Sequence, residues 1–266
     1  MGKIATKFLA SGDGWSVGDV VCNAGPQDRP YEEQHGSFLI AVVIEGSFQY
    51  RSAGGSQVLS PGSLLLNKYQ QYFECGHEHG TGDRCVSFQY SPEFFDRAEV
   101  EPDVPIHRIP PIKAIAPWVV AARTAVELPD HPVIEELAHG LAGAVMDVLD
   151  THNLTRRAPA AADERRISAV LRFIEANLGE PLPLSQLAAM AKMSDFHFLR
   201  VFRQVTHVTP HQYILRARLR EAALRLRTTT DPVLKIAFDA GFCDLSNFNH
   251  AFRSEFGASP GRARRS

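Results

Sequence analysis

Two stretches near the end of the chain decide the fold: LSQLAAMAKMSDFHFLRVFRQV, from Leu184 to Val205, and VLKIAFDAGFCDLSNFNHAFRSEFG, from Val233 to Gly257. Each stretch predicts a helix of about two turns, a short turn and a longer helix, because apolar residues recur at helical spacing. Gly241 falls where the turn between the helices needs an unhindered backbone. The pattern therefore predicts a helix-turn-helix that is present twice.

The second helix of each stretch carries one apolar stripe. The stripe residues are Phe198, Val201, Phe202 and Val205 in the first stretch and Phe248, Ala251, Phe252 and Phe256 in the second. Ser194 or Asp195, and Asp244 in the second stretch, are suited to cap these helices. A helix-forming segment from His211 to Arg227 connects the two units. A rigid helix there could hold two reading helices about one DNA turn apart, roughly 34 Å, on one face of a duplex.

Roughly residues 165 to 260 resemble the AraC/XylS family of transcriptional regulators. The resemblance lies in IEANLGEPLPLSQLAAMAKMS, FLRVFRQVTHVTPHQYILRARLREAALRL and IAFDAGFCDLSNFNHAFRSEFGASP. It implies a sequence-specific, DNA-binding transcription regulator that responds to an effector through its N-terminal domain. The partners that follow are double-stranded promoter DNA, RNA polymerase, a small-molecule or metal effector, and a second copy in a homodimer.

The side of each second helix opposite the stripe is expected to face DNA. These positions are Asp195, Phe196, His197, Leu199, Arg200 and Arg203 in the first helix and Leu245, Ser246, Asn247, Asn249, His250 and Arg253 in the second. Arg suits guanine, Asn suits adenine, and Phe or Leu can meet a thymine methyl group. The family resemblance places base-reading positions at Phe196, Leu199, Arg200, Leu245, Ser246, Asn247, Asn249 and His250. The alternative for the arginines is contact with phosphate or solvent alone.

Charge is distributed unevenly along the chain. The 266 residues carry a formal charge of only −2, but the segment from Asp163 to Ser266 holds 16 Lys and Arg against 10 Asp and Glu, a net of +6. The first 162 residues hold 12 and 20, a net of −8. A solvated surface can produce such an asymmetry, but its coincidence with the doubled helix-turn-helix favours a nucleic-acid partner for the basic part.

Composition places the chain among globular proteins. It is 44% hydrophobic and 22% charged, and its length suits two domains. The sequence lacks a run of about 18 apolar residues, and its start does not show the pattern of a secretory signal. We therefore expect a cytoplasmic protein without a membrane partner, in which the four scattered cysteines stay reduced.

The region from about Lys3 to Ile109 predicts short strands broken by Gly, Pro and Asn. The clearest are VSFQY, SFLIAVVIEGSFQYRS, SQVLSPGSLLLNK and QQYFEC, which together favour a β-sandwich or small barrel. Their order resembles the cupin-like sensor domain of many AraC-family members, with an early His35, a Glu45–Gly46 turn and PGSLLL at 61–66. The resemblance makes His35 and Glu45 candidates for effector binding, although a single His at a strand start is also common as a structural residue.

Two helices are expected next, over 110–128 and 132–153. The second has an apolar seam made by Ile134, Ala138, Leu141, Val145 and Leu149. Such a seam either packs on its own domain or forms a dimer interface, as the corresponding helices do in the family, and we expect dimerisation through residues 133–152. Residues around RRAPAAAD have no apolar period and indicate a linker.

The predicted fold is therefore an α+β protein with two domains. An N-terminal cupin-like β-sandwich or barrel with a helical hairpin precedes an all-α domain with two helix-turn-helix units. The expected divisions are 1–110 for the sensor domain, 111–154 for the helical segment, 155–164 for the linker and 165–266 for the DNA-binding domain.

The segment CGHEHGTGDRC, from Cys75 to Cys85, carries four possible metal ligands. Cys75, His77, His79 and Cys85 lie within eleven residues on a predicted hairpin between QQYFEC and RCVSFQY. Pairing of these strands would bring the two thiols together with both imidazoles, which is a suitable ligand set for Zn²⁺. The alternatives are a polar hairpin tip and a thiol pair that senses oxidants.

An enzyme is the rival class of function. It would be a metal-dependent cupin, or a DNA-repair protein that uses Cys as an alkyl acceptor beside the same helix-turn-helix fold. The sequence contains no GxSxG, HExxH or phosphate-loop motif, and none of its four cysteines stands in a defined catalytic motif. We expect no enzyme activity and no catalytic residues.

Overall fold

The computed structural model describes residues 4–28, 31–34, 36–52, 55–67, 72–77, 82–96, 108–128, 134–151 and 160–265. The strands are β1 (Ile4–Gly12), β2 (Trp15–Cys22), β3 (Tyr31–Gln34), β4 (Phe38–Gly46), β5 (Phe48–Ser52), β6 (Gly55–Leu59), β7 (Leu64–Asn67), β8 (Tyr72–Gly76), β9 (Asp83–Tyr90) and β10 (Arg108–Ile109). The helices are α1 (Pro92–Asp96), α2 (Ala116–Glu127), α3 (Ile134–Thr151), α4 (Ala161–Ala176), α5 (Leu184–Met190), α6 (Asp195–Thr206), α7 (Pro210–Thr228), α8 (Val233–Asp239), α9 (Leu245–Phe256) and α10 (Pro260–Ala263). The predicted two-domain α+β organisation is confirmed.

The strands form two antiparallel sheets that pack face to face. The larger has the order β1-β2-β9-β4-β7-β10, and the smaller has the order β3-β8-β5-β6. Strand β4 is buried over seven consecutive residues, because one face packs on helices and the other faces the smaller sheet. An uninterrupted apolar run such as FLIAVVI is typical of a strand that is covered on both sides.

The expected hairpin between β8 and β9 is wrong. Strand β8 pairs with β3 and β5 in the smaller sheet, whereas β9 pairs with β2 and β4 in the larger sheet. The reason is burial: Val86, Phe88 and Tyr90 of β9 belong to the core that α2 and α3 cover, so this strand must lie in the central part of the larger sheet.

Helix α3 lies on the outer face of the larger sheet. Ala138, Leu141 and Val145 are fully buried there, and the Tyr90 hydroxyl donates a hydrogen bond of 2.7 Å to the carbonyl of Ala138. The expectation that this apolar seam forms the dimer interface is therefore wrong, because the same chain's sheet covers it. Both helices of the predicted hairpin are present, and none of the helices in the described ranges is long and apolar enough to cross a membrane.

The helical region contains both predicted helix-turn-helix units. Helices α5 and α6 form the first and α8 and α9 the second, and the nineteen-residue α7 joins them. Helix α7 begins with a capping box in which Thr209 and Gln212 exchange side-chain and backbone hydrogen bonds. Helix α4 begins at Ala161, so the last residues of the predicted linker are already helical; residues 152–159 lie outside the described part of the chain.

The β-rich and helical regions are in direct contact. Val58 of β6 belongs to the apolar cluster around α6, and Val120 of α2 belongs to the cluster around α9. Glu164 of α4 is buried and accepts hydrogen bonds from Gln49 (3.2 Å) and Ser56 (2.9 Å). Both helix-turn-helix units are therefore packed against the N-terminal half.

Candidate nucleic-acid interface and barrel cavity

Helix α6 separates its buried and exposed residues cleanly. The stripe of Phe198, Val201, Phe202 and Val205 is buried, as predicted. The predicted DNA-facing residues of this helix are all exposed: Asp195, Phe196, His197, Leu199, Arg200 and Arg203. Phe196 is 80% exposed and Leu199 is 39% exposed, so this helix presents apolar as well as basic side chains on its outer side.

Helix α9 repeats this arrangement. Phe248 and Phe252 are buried, while Ala251 and Phe256 are partly buried against the same cluster. The predicted DNA-facing residues Ser246, Asn247, Asn249, His250 and Arg253 are exposed, whereas Leu245 is partly buried and packs on the core. The exposed side of α9 is more polar than that of α6, so the two helices present different chemistry to a common partner.

Capping residues set where each of these helices begins. The Ser194 side chain accepts a hydrogen bond from the backbone N–H of His197 (3.4 Å), and Asp244 accepts one from that of Asn247 (2.7 Å). Of the two caps considered for α6, the structure uses Ser194. Because the first exposed turn follows each cap directly, the caps position the candidate reading residues at the helix N-termini.

The end of α6 is held by a residue from the β-rich region. Buried Arg108 of β10 donates hydrogen bonds to the carbonyls of Val205 (2.7 Å) and Thr206 (3.1 Å). Burial lowers the pKa of Arg108 to about 10, so the guanidinium stays charged at neutral pH. A cation is favourable at a helix C-terminus, where backbone carbonyls lack helical partners.

The space between the two sheets contains a cavity of about 410 Å³. Apolar residues such as Leu39, Phe48 and Phe73 line it, together with the polar side chains of Ser87 and Gln89. Such a mixture of apolar walls and few polar groups is typical of small-molecule sites.

One end of this cavity contains a group of three possible metal ligands. The Sγ atom of Cys22, a ring nitrogen of His77 and a carboxylate oxygen of Asp83 lie within 4.8 Å of one another. His77 forms a short hydrogen-bonded contact with Asp83. Burial lowers the pKa of His77, but hydrogen bonds to Asp83 and Cys22 outweigh burial and raise that pKa to about 9. The raised pKa favours the imidazolium form of His77, which pairs with the Asp83 carboxylate beside the Cys22 thiol.

The predicted metal ligands are only partly brought together. His77 belongs to the group above, and Cys85 lies beside it, with its thiol donating to Asp83 Oδ2 at 3.5 Å. Burial raises the pKa of the Cys85 thiol well above its ordinary value. Cys75 lines the same cavity, and His79 lies outside the described residues.

Cys22 and Asp83 were missed by the reasoning from sequence. They are directly opposite each other in the β2–β9 pair, although sixty residues separate them along the chain. The sequence signal available for Asp83 was its place beside CGHEHGTG, whereas Cys22 offered only an isolated thiol.

Of the two candidate effector residues, the structure describes Glu45. Glu45 is exposed, 3.6 Å from the Arg84 guanidinium, and lines a second cavity of about 690 Å³ between the β-rich region and helices α2, α4 and α7. His35 is outside the described residues. Cys22 and Asp83 line both cavities, so the group of Cys22, His77 and Asp83 lies where the β-rich region meets the helical region.

Two helix-turn-helix units with capped, exposed second helices on a basic domain define a DNA-binding protein. A family profile described as a helix-turn-helix domain matches residues 187–266. The regulatory protein SoxS of Salmonella typhimurium is 36% identical over 94 residues, which are 35% of this chain and 88% of that protein. The chain belongs to the AraC/XylS family and is a DNA-binding transcription regulator.

Two further similarities cover a comparable share of the chain. The right origin-binding protein of Escherichia coli is 37% identical over 100 residues, which are 38% of this chain and 35% of that protein. The crystal structure of the DNA-binding domain of the global transcriptional factor AdpA, in complex with a target DNA, is 30% identical and covers 38% of this chain and 90% of that one, with a TM-score of 0.37.

Proposed function

We propose that this regulator recognises an asymmetric promoter site by placing α6 and α9 in successive major grooves. The observation that carries the proposal is the division of both helices into a buried aromatic stripe and an exposed face at their capped N-termini. The nineteen residues of α7 span about 28 Å at 1.5 Å per residue. That length is comparable with the separation of major grooves on one side of a duplex.

The two helices would read different bases. The exposed side chains of α6 are of types that suit guanine (Arg200) and thymine methyl groups (Phe196 and Leu199). Helix α9 instead offers the amides of Asn247 and Asn249, which suit adenine. Different chemistry on the two helices favours a site without internal symmetry, and RNA polymerase would be the neighbouring partner at a promoter.

The N-terminal half would be the sensor in this scheme, with residues 1–110 forming a cupin-like domain, 111–154 a helical segment, 155–164 a linker and 165–266 the DNA-binding domain. An effector bound in the cavity between the two sheets would act on α6 through the contacts that β6 and β10 make with this helix. We propose a homodimer that uses a surface other than the covered seam of α3. We further propose that the chain acts in the cytoplasm as a regulator and not as an enzyme, since the matched relatives are named as regulatory and origin-binding proteins.

Footprinting of the full-length chain on its own promoter region tests this proposal. We expect one protected site that spans two adjacent major grooves, with an affinity that falls steeply as salt rises. Asn247→Ala should weaken protection of one half of the site and Leu199→Ala that of the other. Equal affinity for this site and for random DNA would contradict the proposal.

A further inference from the structure

Three strands bring three different metal-binding groups to one buried point. Cys22 is the last residue of β2, His77 directly follows β8, and Asp83 opens β9. Their ligand atoms lie within 4.8 Å of one another. The side chains of His77 and Asp83 are 2% and 9% exposed, and Cys22 is buried as well. Burial of an imidazole, a carboxylate and a thiol together is uncommon unless they share a proton or a cation.

The backbone around these residues leaves them little freedom. Cys22 and Asp83 face each other across the β2–β9 ladder. Gly82, with φ of +65°, packs so closely on β2 that a Cβ atom there would overlap the carbonyl oxygen of Cys22. Gly46 similarly abuts Gly82 and Asp83 at the end of β4. Glycine at both positions allows the strand ends to close around the three ligands.

Neighbouring side chains orient two of the ligands. The His77 ring packs on Phe48 with their centroids 6.0 Å apart. The Cys85 thiol donates to Asp83 Oδ2 at 3.5 Å, which leaves the other carboxylate oxygen directed at His77. Metal ligands are commonly held in this way by an outer layer of hydrogen bonds and apolar contacts.

We propose that Cys22, His77 and Asp83 form a binding site for Zn²⁺ or a similar borderline divalent cation. Thiolate, imidazole and carboxylate are the three ligand types that Zn²⁺ prefers. Binding displaces the thiol proton of Cys22 and the proton between His77 and Asp83, and both pass to solvent. Three protein ligands leave a fourth position open toward the 410 Å³ cavity, where water or a donor atom of a small molecule can bind.

A regulatory consequence rests on the proposed sensor function of the N-terminal half. Cys22 and Asp83 line the 690 Å³ cavity that faces the helical region as well as the 410 Å³ cavity between the sheets. A cation that draws the ends of β2, β8 and β9 together would therefore alter the wall that faces α4 and α7. The cation, alone or with a small molecule at the open position, would be the effector.

Cobalt titration of the full-length chain, purified under reducing conditions without affinity metal and freed of bound metal with a chelator, tests the site. We expect one equivalent of Co²⁺ to bind with a thiolate-to-cobalt charge-transfer absorption, and Zn²⁺ to displace it. Cys22→Ser should abolish that absorption, and Asp83→Asn should weaken cobalt binding by at least about tenfold. Cys243→Ser, which removes an exposed thiol, is the matched control and should change neither quantity.

Three outcomes would overturn the proposal. Absence of saturable cobalt binding in a chain with a native circular dichroism spectrum would leave the group as a buried ion pair. Retention of the charge-transfer absorption in Cys22→Ser and its loss in Cys75→Ser would assign the metal to different thiols. Unchanged cobalt binding in Asp83→Asn would exclude this carboxylate as a ligand and, with it, the proposed three-ligand site. Footprinting of the same metal-free preparation separates a failure of this site from a failure of the DNA-binding proposal.

Discussion

Two phenylalanines close together on α6 lie in opposite environments. Phe198 is fully buried, while Phe196, two residues earlier, is 80% exposed. Each residue of a helix is rotated by about 100° from the previous one, so a shift of two positions carries a side chain to the far side. The same residue type is therefore buried in the core at one position and exposed to a partner at another.

Arg200→Ala should cost roughly 1–3 kcal/mol of binding free energy on the best DNA site and relax preference at one base pair, because a guanidinium can bind guanine at two atoms. Competitive titration of specific and random duplexes measures both quantities. Lys113→Ala, which removes an exposed charge from the N-terminal half, is the control and should leave both affinities unchanged. Equal losses on both duplexes would instead assign Arg200 to a phosphate contact.

The two helix-turn-helix units use the same turn with different residues. Lys192 (φ 54°) and Gly241 (φ 85°) both adopt left-handed backbone between the helices. In each unit the following residue donates its N–H to an alanine carbonyl, from Met193 to Ala188 and from Phe242 to Ala237. Lysine is disfavoured in that conformation, whereas glycine is not.

Because the two turns carry different residues, substitutions there should change the free energy of unfolding in opposite directions. Gly241→Ala should lower the free energy of unfolding by about 1–3 kcal/mol, because of the positive φ and because the new Cβ would lie 2.6 Å from the carbonyl oxygen of Leu178. Lys192→Gly should raise it by up to about 1 kcal/mol as left-handed strain is relieved. Urea unfolding of the full chain measures both changes. Destabilisation by Lys192→Gly would mean that the lysine side chain stabilises the turn through contacts.

At the scale of the whole molecule, buried polar contacts join the N-terminal half to the DNA-binding half. Two carbonyls at the end of α6 accept hydrogen bonds from Arg108. The buried carboxylate of Glu164 accepts hydrogen bonds from Gln49 and Ser56. A buried polar group that loses its partner is costly. The two halves are therefore expected to unfold together. A conformational change in one half is expected to reach the other through α6.

Arg108→Ala should lower the free energy of unfolding by about 2–4 kcal/mol, because two helix carbonyls lose a charged donor in a buried setting. Denaturant unfolding measures the loss. Arg203→Ala, which removes an exposed arginine from the same helix, is the control and should change stability by less than about 0.5 kcal/mol. A similarly small effect for Arg108→Ala would show that water replaces the guanidinium at this interface.

Several features of the barrel were accessible from local sequence patterns, and others were not. The turn at Gly46 and the strands around FLIAVVIEG and LLLN appeared as expected, because short apolar runs bounded by glycine and proline are local signals. The expected pairing of β8 with β9 is wrong, and the α3 seam packs on the sheet of its own chain, because both depend on which distant surface covers an apolar face.

The amino-acid sequence by itself determined the doubled helix-turn-helix, its buried stripes and its capped, exposed faces. Helical periodicity and capping act within about twenty residues, so a single stretch contains the whole signal. Only the tertiary structure decided that Cys22 meets His77 and Asp83, and that Arg108 reaches the end of α6. Those contacts are set by strand register and by packing between distant segments, for which no local pattern exists.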